Sequence, residues 1–400
     1  MLGVRDSSSF QQHLAFAIML AVLLIATISV AQQVNARSQL DPTSFWNEQT
    51  TRLGLQAKLN PPRVARAYAL LHVAIYDALL AGTRQHSGEP SERALAAGAV
   101  GEVLAYLFPG SVSSIWKDVQ AQAWSGETTN RGVVVSGLRF GQMVGKMVVR
   151  YAENDGSNVV FTGLIPTGEC IWTGVGPLEP MAGTWKTWIV TSGGEFQPEA
   201  PYLCGSAKDL ADVQAVVDAS HDLTPDKVAV VHKWADLPPP TIWNNMLGEW
   251  VEREGLRGFA AARAYVYLNI AIYDAFVSTW FSKYTYWTAR PFQRVPGLVT
   301  VIPTPNFPSY ISGHSTVSAA ASRVMGQLFP ADRDYFSAQA QEAALSRMWA
   351  GIHFPHDNQR GLWVGTEVGG RVVDDMLAVP HTFVFPTNEG FGMGRNVVPS

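Results

Sequence analysis

The stretch Ala262-Arg263-Ala264-Tyr265-Val266-Tyr267-Leu268-Asn269-Ile270-Ala271-Ile272-Tyr273-Asp274-Ala275 has an earlier counterpart in the same chain. The counterpart begins Ala65-Arg66-Ala67-Tyr68, places Leu71 where the later copy has Leu268, and ends Ala74-Ile75-Tyr76-Asp77-Ala78. Both copies space apolar residues three and four apart with no internal Gly or Pro, the period of a helix packed on several sides. Arg66, His72 and Asp77 interrupt the first copy and Arg263 and Asp274 the second, so both read as core helices and not as membrane spans. A second landmark repeats in the same order: Ala99, Val103 and Leu107-Phe108-Pro109 correspond to Ala320, Val324 and Leu328-Phe329-Pro330, a helix stopped by Pro. Strand-like alternation is scarce. The expectation is an all-α fold of two packed helical bundles related by internal duplication.

The duplication does not extend to the polar residues. Between the two landmarks the C-terminal copy is longer, and its extra stretch from about Trp280 to Pro303 carries Lys283 and Arg290. Where it reads Ser312-Gly313-His314, the N-terminal copy reads Ser91-Glu92-Arg93. Outward from the repeat, the chain divides into an N-terminal bundle over 37–150, a connecting region over 151–255, a catalytic C-terminal bundle over 256–385 and a tail over 386–400. From Glu153 to Pro240 the chain is rich in Gly, Pro, Trp and Thr and reads as long loops with short helices. One such helix is expected over Asp222 to His232, with Thr224 as N-cap and Pro225 at the first helical position.

Residues 1–36 read as a signal peptide or N-terminal anchor. Leu14 to Ala31 is almost wholly apolar and ends in Ser29-Val30-Ala31, which suits an export signal, while its length is also enough for an uncleaved span. Export to the periplasm or the outside is therefore expected, with membrane anchoring only through 14–31. Cys170 and Cys204 would then meet an oxidising compartment, either bridged or as two buried thiols. A hydrophobic fraction of 47% with 16% charged residues describes a chain that buries a large core, and a net charge of -4 provides no field for nucleic acid.

Three polar segments carry the chemistry. Lys283 and Arg290 are seven residues apart, which on one helix returns to nearly the same face, with Pro291 then ending or bending it. Two fixed cations suit an oxyanion, though a solvated basic face has the same pattern. In Phe307-Pro308-Ser309-Tyr310-Ile311-Ser312-Gly313-His314-Ser315, Gly313 allows close backbone approach, Ser312 can cap the following helix, and the first-turn amides can face an anion. His314 there is either a proton-transfer group or a polar cap. In the last segment, Ser346-Arg347 is followed after five residues by His353 and after three more by Asp357. Gly351 and Pro355 place His353 just before a helix start, where Asp357 can fix its tautomer and free the other nitrogen; a helix-end charge pair is the plainer alternative. His356 reads as a bystander.

These segments together resemble the vanadium-dependent haloperoxidases and the related type 2 phosphatidic acid phosphatases, in particular bacterial haloperoxidase-like proteins. The shared signature is Lys, six residues, Arg-Pro; Pro-Ser-Gly-His; and Ser-Arg, five residues, His, three residues, Asp. It is specific here over about Tyr265 to Gly361. The resemblance implies an acid phosphatase/vanadium haloperoxidase-like fold in which Lys283, Arg290, Ser312, Gly313, Arg347 and His353 hold the oxyanion. It makes His314 the acid-base group and His353 the vanadium ligand or phosphoryl nucleophile, oriented by Asp357, with Lys283 also catalytic. One departure is Ile311 at the usual Pro, with a Pro-Ser pair displaced to Pro308-Ser309. Phe307 resembles the position linked to halide preference, without deciding the halide.

Two activities follow from that resemblance: a peroxidase that uses vanadate, hydrogen peroxide and halide, or an acid phosphatase that takes a phosphate monoester through a phospho-His353 intermediate without a cofactor. The single N-terminal apolar segment disfavours a lipid phosphatase with several spans, and the duplicated bundle favours the haloperoxidase. A non-catalytic oxyanion-binding protein is the remaining reading. The organic acceptor and the oligomeric state are not legible.

Overall fold

Thirteen α-helices follow one another in the computed structural model, which describes residues 41–85, 91–125 and 130–386. The expected export segment Leu14 to Ala31 and nearly all of the tail over 386–400 lie outside the described residues. Among the described residues there is no strand, only an isolated bridge between Ile171 and Thr288. The N-terminal run is α1 (Pro42–Gln56), α2 (Pro61–Gln85), α3 (Glu92–Leu107), α4 (Val112–Ala123) and α5 (Arg131–Glu153). Then come α6 (Ala207–His221), α7 (Pro225–Lys233) and α8 (Pro239–Arg253). The C-terminal run is α9 (Gly258–Tyr286), α10 (Pro291–Arg294), α11 (Gly313–Leu328), α12 (Arg333–Trp349) and α13 (Pro355–Leu377).

The two runs repeat one plan. Helix α2 matches α9, α3 matches α11, α4 matches α12 and α5 matches α13. Even the Pro-stops agree: Phe108 (φ -130, ψ 66) and Phe329 (φ -129, ψ 75) have nearly the same backbone, each leading into a short 3-10 turn. Helix α2 is long and apolar enough to cross a membrane, yet its apolar stretch is wholly buried inside the protein. It packs on α9, which is buried almost continuously from Ala261 to Lys283, so the repeated stretch forms the centre of the molecule.

Glycine stripes explain how closely the outer pair of each run packs. Gly137, Gly141 and Gly145 of α5 lie on α3, and Gly361, Gly365 and Gly369 of α13 lie on α11. A Cβ on Gly141 would collide with the carbonyl oxygen of Leu95, and one on Gly365 with that of Thr316, the residue at the same place of the plan. Gly365→Ala is therefore expected to destabilise the protein by about 1–3 kcal/mol through overpacking, measured as a lowered midpoint of urea unfolding. An unchanged midpoint would show that the helices separate freely.

Asp77 and Asp274, the matching acids of α2 and α9, cross-connect the runs. Asp274 accepts backbone N–H groups from Trp188, Ile189 and Val190 at 2.9, 2.9 and 3.1 Å. Asp77 accepts from Phe383, Val384 and Phe385 at 2.9, 2.8 and 3.0 Å. Each acid thus binds the segment that follows the last helix of the other run.

The connecting region contains more helix than its composition suggests. Helix α6 is a full 15 residues, and Asp222 caps its end instead of opening the next helix. Thr224 caps α7 with Pro225 at the first helical position, its side chain accepting from the Lys227 N–H. Cys170 and Cys204 are joined as a disulfide, with Cα atoms 6.0 Å apart.

Candidate functional site

Lys283 and Arg290 meet at one place, but not because they share a helix. Lys283 is in the last turn of α9, whose C-cap Trp287 is left-handed at φ 50, and Arg290 stands outside, as the N-cap of α10 with Pro291 starting that helix. The seven-residue step is therefore a chain reversal. The connecting region fixes it: Trp172 N–H donates to Trp287 O, Ala289 N–H donates to Cys170 O, and Arg294 clamps Asp209 of α6 through two bonds of 3.0 and 2.7 Å.

Both cations are fully buried. Lys283 Nζ donates to the carbonyls of Pro308 and Ser309 at 2.9 and 2.8 Å, leaving one ammonium hydrogen. Arg290 donates through Nε to Phe307 O and through Nη1 to Ile352 O, both at 2.8 Å. Its Nη1 also lies 3.0 Å from His353 Nε2. Its Nη2 is buried without a hydrogen-bond partner. The Phe307 ring lies against both, 5.0 Å from Lys283 Nζ and 4.8 Å from Arg290 Cζ.

His353 stands just ahead of α13, whose N-cap is Phe354. Its Nδ1 is 2.9 Å from Asp357 Oδ2, which also accepts from the Phe354 N–H at 3.1 Å and from the Ser309 hydroxyl. Guanidinium can only donate, so Nε2 carries the lone pair and Nδ1 the proton given to Asp357. Burial, then the charges of Arg290, Lys283 and Arg347, hold the imidazole well below its usual pKa. The ring is neutral at pH 7, and Arg290 occupies its lone pair.

Ser312 caps α11, accepting from Ser315 N–H, and its own N–H donates to Asp357 O at 3.0 Å, which ties α11 to α13. Gly313 opens α11 and His314 follows in its first turn. His314 Nε2 is 2.8 Å from the carbonyl of Trp234, which makes that nitrogen the donor and leaves the lone pair on Nδ1. Burial, then Arg347, pushes this imidazole well below its usual range too. Arg347, in the last turn of α12, donates through Nη2 to Val231 O and through Nε to Ser346 Oγ, both at 2.9 Å.

Gly313, His314, Arg347 and His353 reach the wall of a chamber of about 650 Å³, while Lys283, Arg290, Ser312 and Asp357 lie behind that wall. Lys283, Arg290 and Arg347 thus stand with one buried carboxylate, Asp357, which is engaged with His353, while Asp236 lies exposed at the chamber's solvent side. Burial lowers Lys283 well below the usual lysine pKa, with Arg290 adding to it, and brings Arg290 and Arg347 down to about 10 each. A buried excess of positive charge with an orphaned guanidinium nitrogen lacks an anion. Tetrahedral oxyanions fit that donor set of guanidinium, ammonium and helix-start groups. Orthovanadate or phosphate at about a hundred times its Kd should stabilise the fold by about 2.7 kcal/mol, seen as a rise in Tm. No rise with either ion would mean that the pocket does not take an oxyanion.

Ser309 was not among the residues singled out by sequence. It is fully buried and donates to Asp357, a role visible only as the displaced Pro308-Ser309 pair. The carbonyls of Val231 and Trp234, from the connecting region, also had no sequence signal. His356 is not in the chamber wall; it stacks between Tyr202 and Tyr310, with ring centroids at 3.8 and 5.4 Å.

The family profile of the PAP2 superfamily matches residues 263–376, which span α9 to α13. No curated protein sequence matches the chain. Among solved structures, a bacterial vanadium-dependent iodoperoxidase superposes with a TM-score of 0.73 at 22% identity, over 87% of this chain and 99% of that one. The holo form of a bacterial vanadium-dependent chloroperoxidase gives 0.63 at 15% identity, over 85% and 93% of the two chains. The apo form of such a chloroperoxidase gives 0.65 at 15%, over 80% and 94%. The C-terminal run thus matches the PAP2 superfamily over residues 263–376, and the chain as a whole has the fold of the bacterial vanadium-dependent haloperoxidases.

Proposed function

We propose that this protein is a vanadate-dependent haloperoxidase, with vanadate held through His353 Nε2. The observation that carries the reading is the neutral His353, its lone pair directed at Arg290, beside the buried and unpartnered Nη2 of that same arginine. Bound vanadate would supply Lewis acidity that activates hydrogen peroxide toward halide. Halide loses two electrons, peroxide is reduced to water, and one proton is taken up for each hypohalous acid formed.

The chain's residues provide the rest. Asp357 and Ser309 keep the His353 proton on Nδ1, so Nε2 remains a donor of electrons. Arg290, Lys283 and Arg347 balance the anion's charge with donors already fixed by backbone carbonyls, which removes most of the cost of arranging them. His314 has its Nε2–H committed to Trp234 O, so its Nδ1 is the atom that accepts or returns a proton. A bound oxyanion would raise the pKa of that ring from its depressed value. The Cys170–Cys204 bridge supports export to an oxidising compartment.

The same donor set could hold the phosphoryl group of a phosphate monoester, with His353 as nucleophile. Assay of the purified protein with peroxide plus halide, and with a phosphate monoester, each with and without orthovanadate, separates the two. Vanadate should switch on halide oxidation. Phosphatase activity that vanadate abolishes, with no halide oxidised, would overturn the proposal.

A further inference from the structure

The chamber in front of His353 has a chemistry of its own. Phe276, Trp280 and Phe307 form a continuous aromatic wall, with centroids 5.4 Å apart for the first pair and 5.0 Å for the second. The rest is mostly aliphatic or proline, including Leu237 and Ile302, and His232 and Asp236, 3.6 Å apart, sit exposed at the solvent side. Peroxide and halide are far smaller than about 650 Å³ and gain nothing from aromatic and proline walls. A volume within roughly 300–1,000 Å³ and a mainly apolar lining are the marks of a site for an organic molecule.

We propose that this chamber binds a neutral, ring-containing apolar molecule, held against the aromatic wall with one edge at His314 and His353. This rests on the proposed haloperoxidase reading in one respect only, the fate of the molecule: there it is the halogen acceptor, whereas in a phosphatase it would be the alcohol part of the ester. In the first case an aromatic C–H bond breaks and a C–halogen bond forms. Halide gives up two electrons, peroxide accepts them to become two waters, and the ring proton with one proton from solvent completes the balance. Lys283 and Arg290 behind the Phe307 ring disfavour a cation there, and once the anion site is filled a second anion in the apolar chamber would be desolvated without a free partner.

The test uses the full-length protein and 2-naphthol, with 2-naphthalenesulfonate as the charged comparator. Calorimetric titration of protein saturated with orthovanadate, which fills the anion site, is expected to show one naphthol site and binding at least about tenfold weaker for the sulfonate. Leu237→Trp, which fills the chamber, and Ile302→Glu, which charges it, should each weaken naphthol binding by about tenfold or more. Both positions are half-buried and outside the anion-holding set. With vanadate and peroxide present, iodide oxidation to triiodide should be unchanged in the variants while bromination of naphthol falls in step with its affinity. Naphthol that fails to bind the wild type, or binds the variants equally, overturns the proposal. Bromination that stays at the wild-type rate in variants with weakened binding overturns the acceptor role. If naphthol binds as expected but only 2-naphthyl phosphate is turned over, the chamber proposal holds and the haloperoxidase reading fails.

Discussion

His353→Ala is expected to eliminate vanadate-dependent halide oxidation, a loss of roughly a thousandfold or more, as for removal of the central group of a catalytic set. The fold should survive. Asp357 keeps the Ser309 hydroxyl and the Phe354 N–H, and Arg290 keeps the carbonyls of Phe307 and Ile352. The variant should therefore unfold at nearly the wild-type midpoint without anion but lose most of the stabilisation that vanadate gives the wild type. Partial rescue by added imidazole would place the loss at the missing ring. Activity at a tenth of wild type or more would show that His353 is not the ligand.

Arg290→Lys is the second large effect. The charge is kept, but the planar fork is lost, and one ammonium nitrogen replaces the three guanidinium nitrogens that separately face Phe307 O, Ile352 O and the unpartnered position. The expected result is a rise in Kd of about a hundredfold for orthovanadate, about 2.8 kcal/mol at 1.4 kcal/mol for each factor of ten. Titration followed by thermal shift or by calorimetry measures it. A Kd within threefold of wild type would show that the unpartnered Nη2 is not an anion contact. The comparison with His353→Ala is informative, because the arginine change should weaken binding while leaving turnover at saturating vanadate less affected.

Much of this arrangement was legible in the residues, for identifiable reasons. Ser312 declares itself as a cap through its position before Gly and an apolar run, and the structure has it accepting from Ser315 N–H. The spacing of His353, Pro355 and Asp357 is a local property of one helix start, so its hydrogen bond is reachable from sequence alone. The repeat around Tyr265 announced the core because buried helices must be apolar on every side. Lys283 and Arg290 were placed together for the wrong reason. Periodicity assumes that a helix continues, and α9 ends at Tyr286 through a left-handed Trp, a conformation that a Trp does not advertise. The carbonyls of Val231, Trp234, Phe307 and Ile352 hold the cations and His314 through atoms common to every residue, which leave no trace in sequence. The glycine stripes, spaced by four on α5 and α13, were in plain view; their meaning needs the partner helix.

The crossed carboxylates of Asp77 and Asp274 bear on autonomy. A fragment limited to 256–385 would contain Asp274 but none of the three N–H groups, at 188–190, that hold it. A fragment ending before 383 would strand Asp77 in the same way. Leaving a buried carboxylate without donors costs several kcal/mol, a large part of a domain's net stability. Either fragment alone is therefore expected to be less stable than the whole, seen as a lower midpoint of urea unfolding. The bundle with the cation set is thus completed by the connecting region at 188–190, while its own C-terminal segment at 383–385 completes the other bundle.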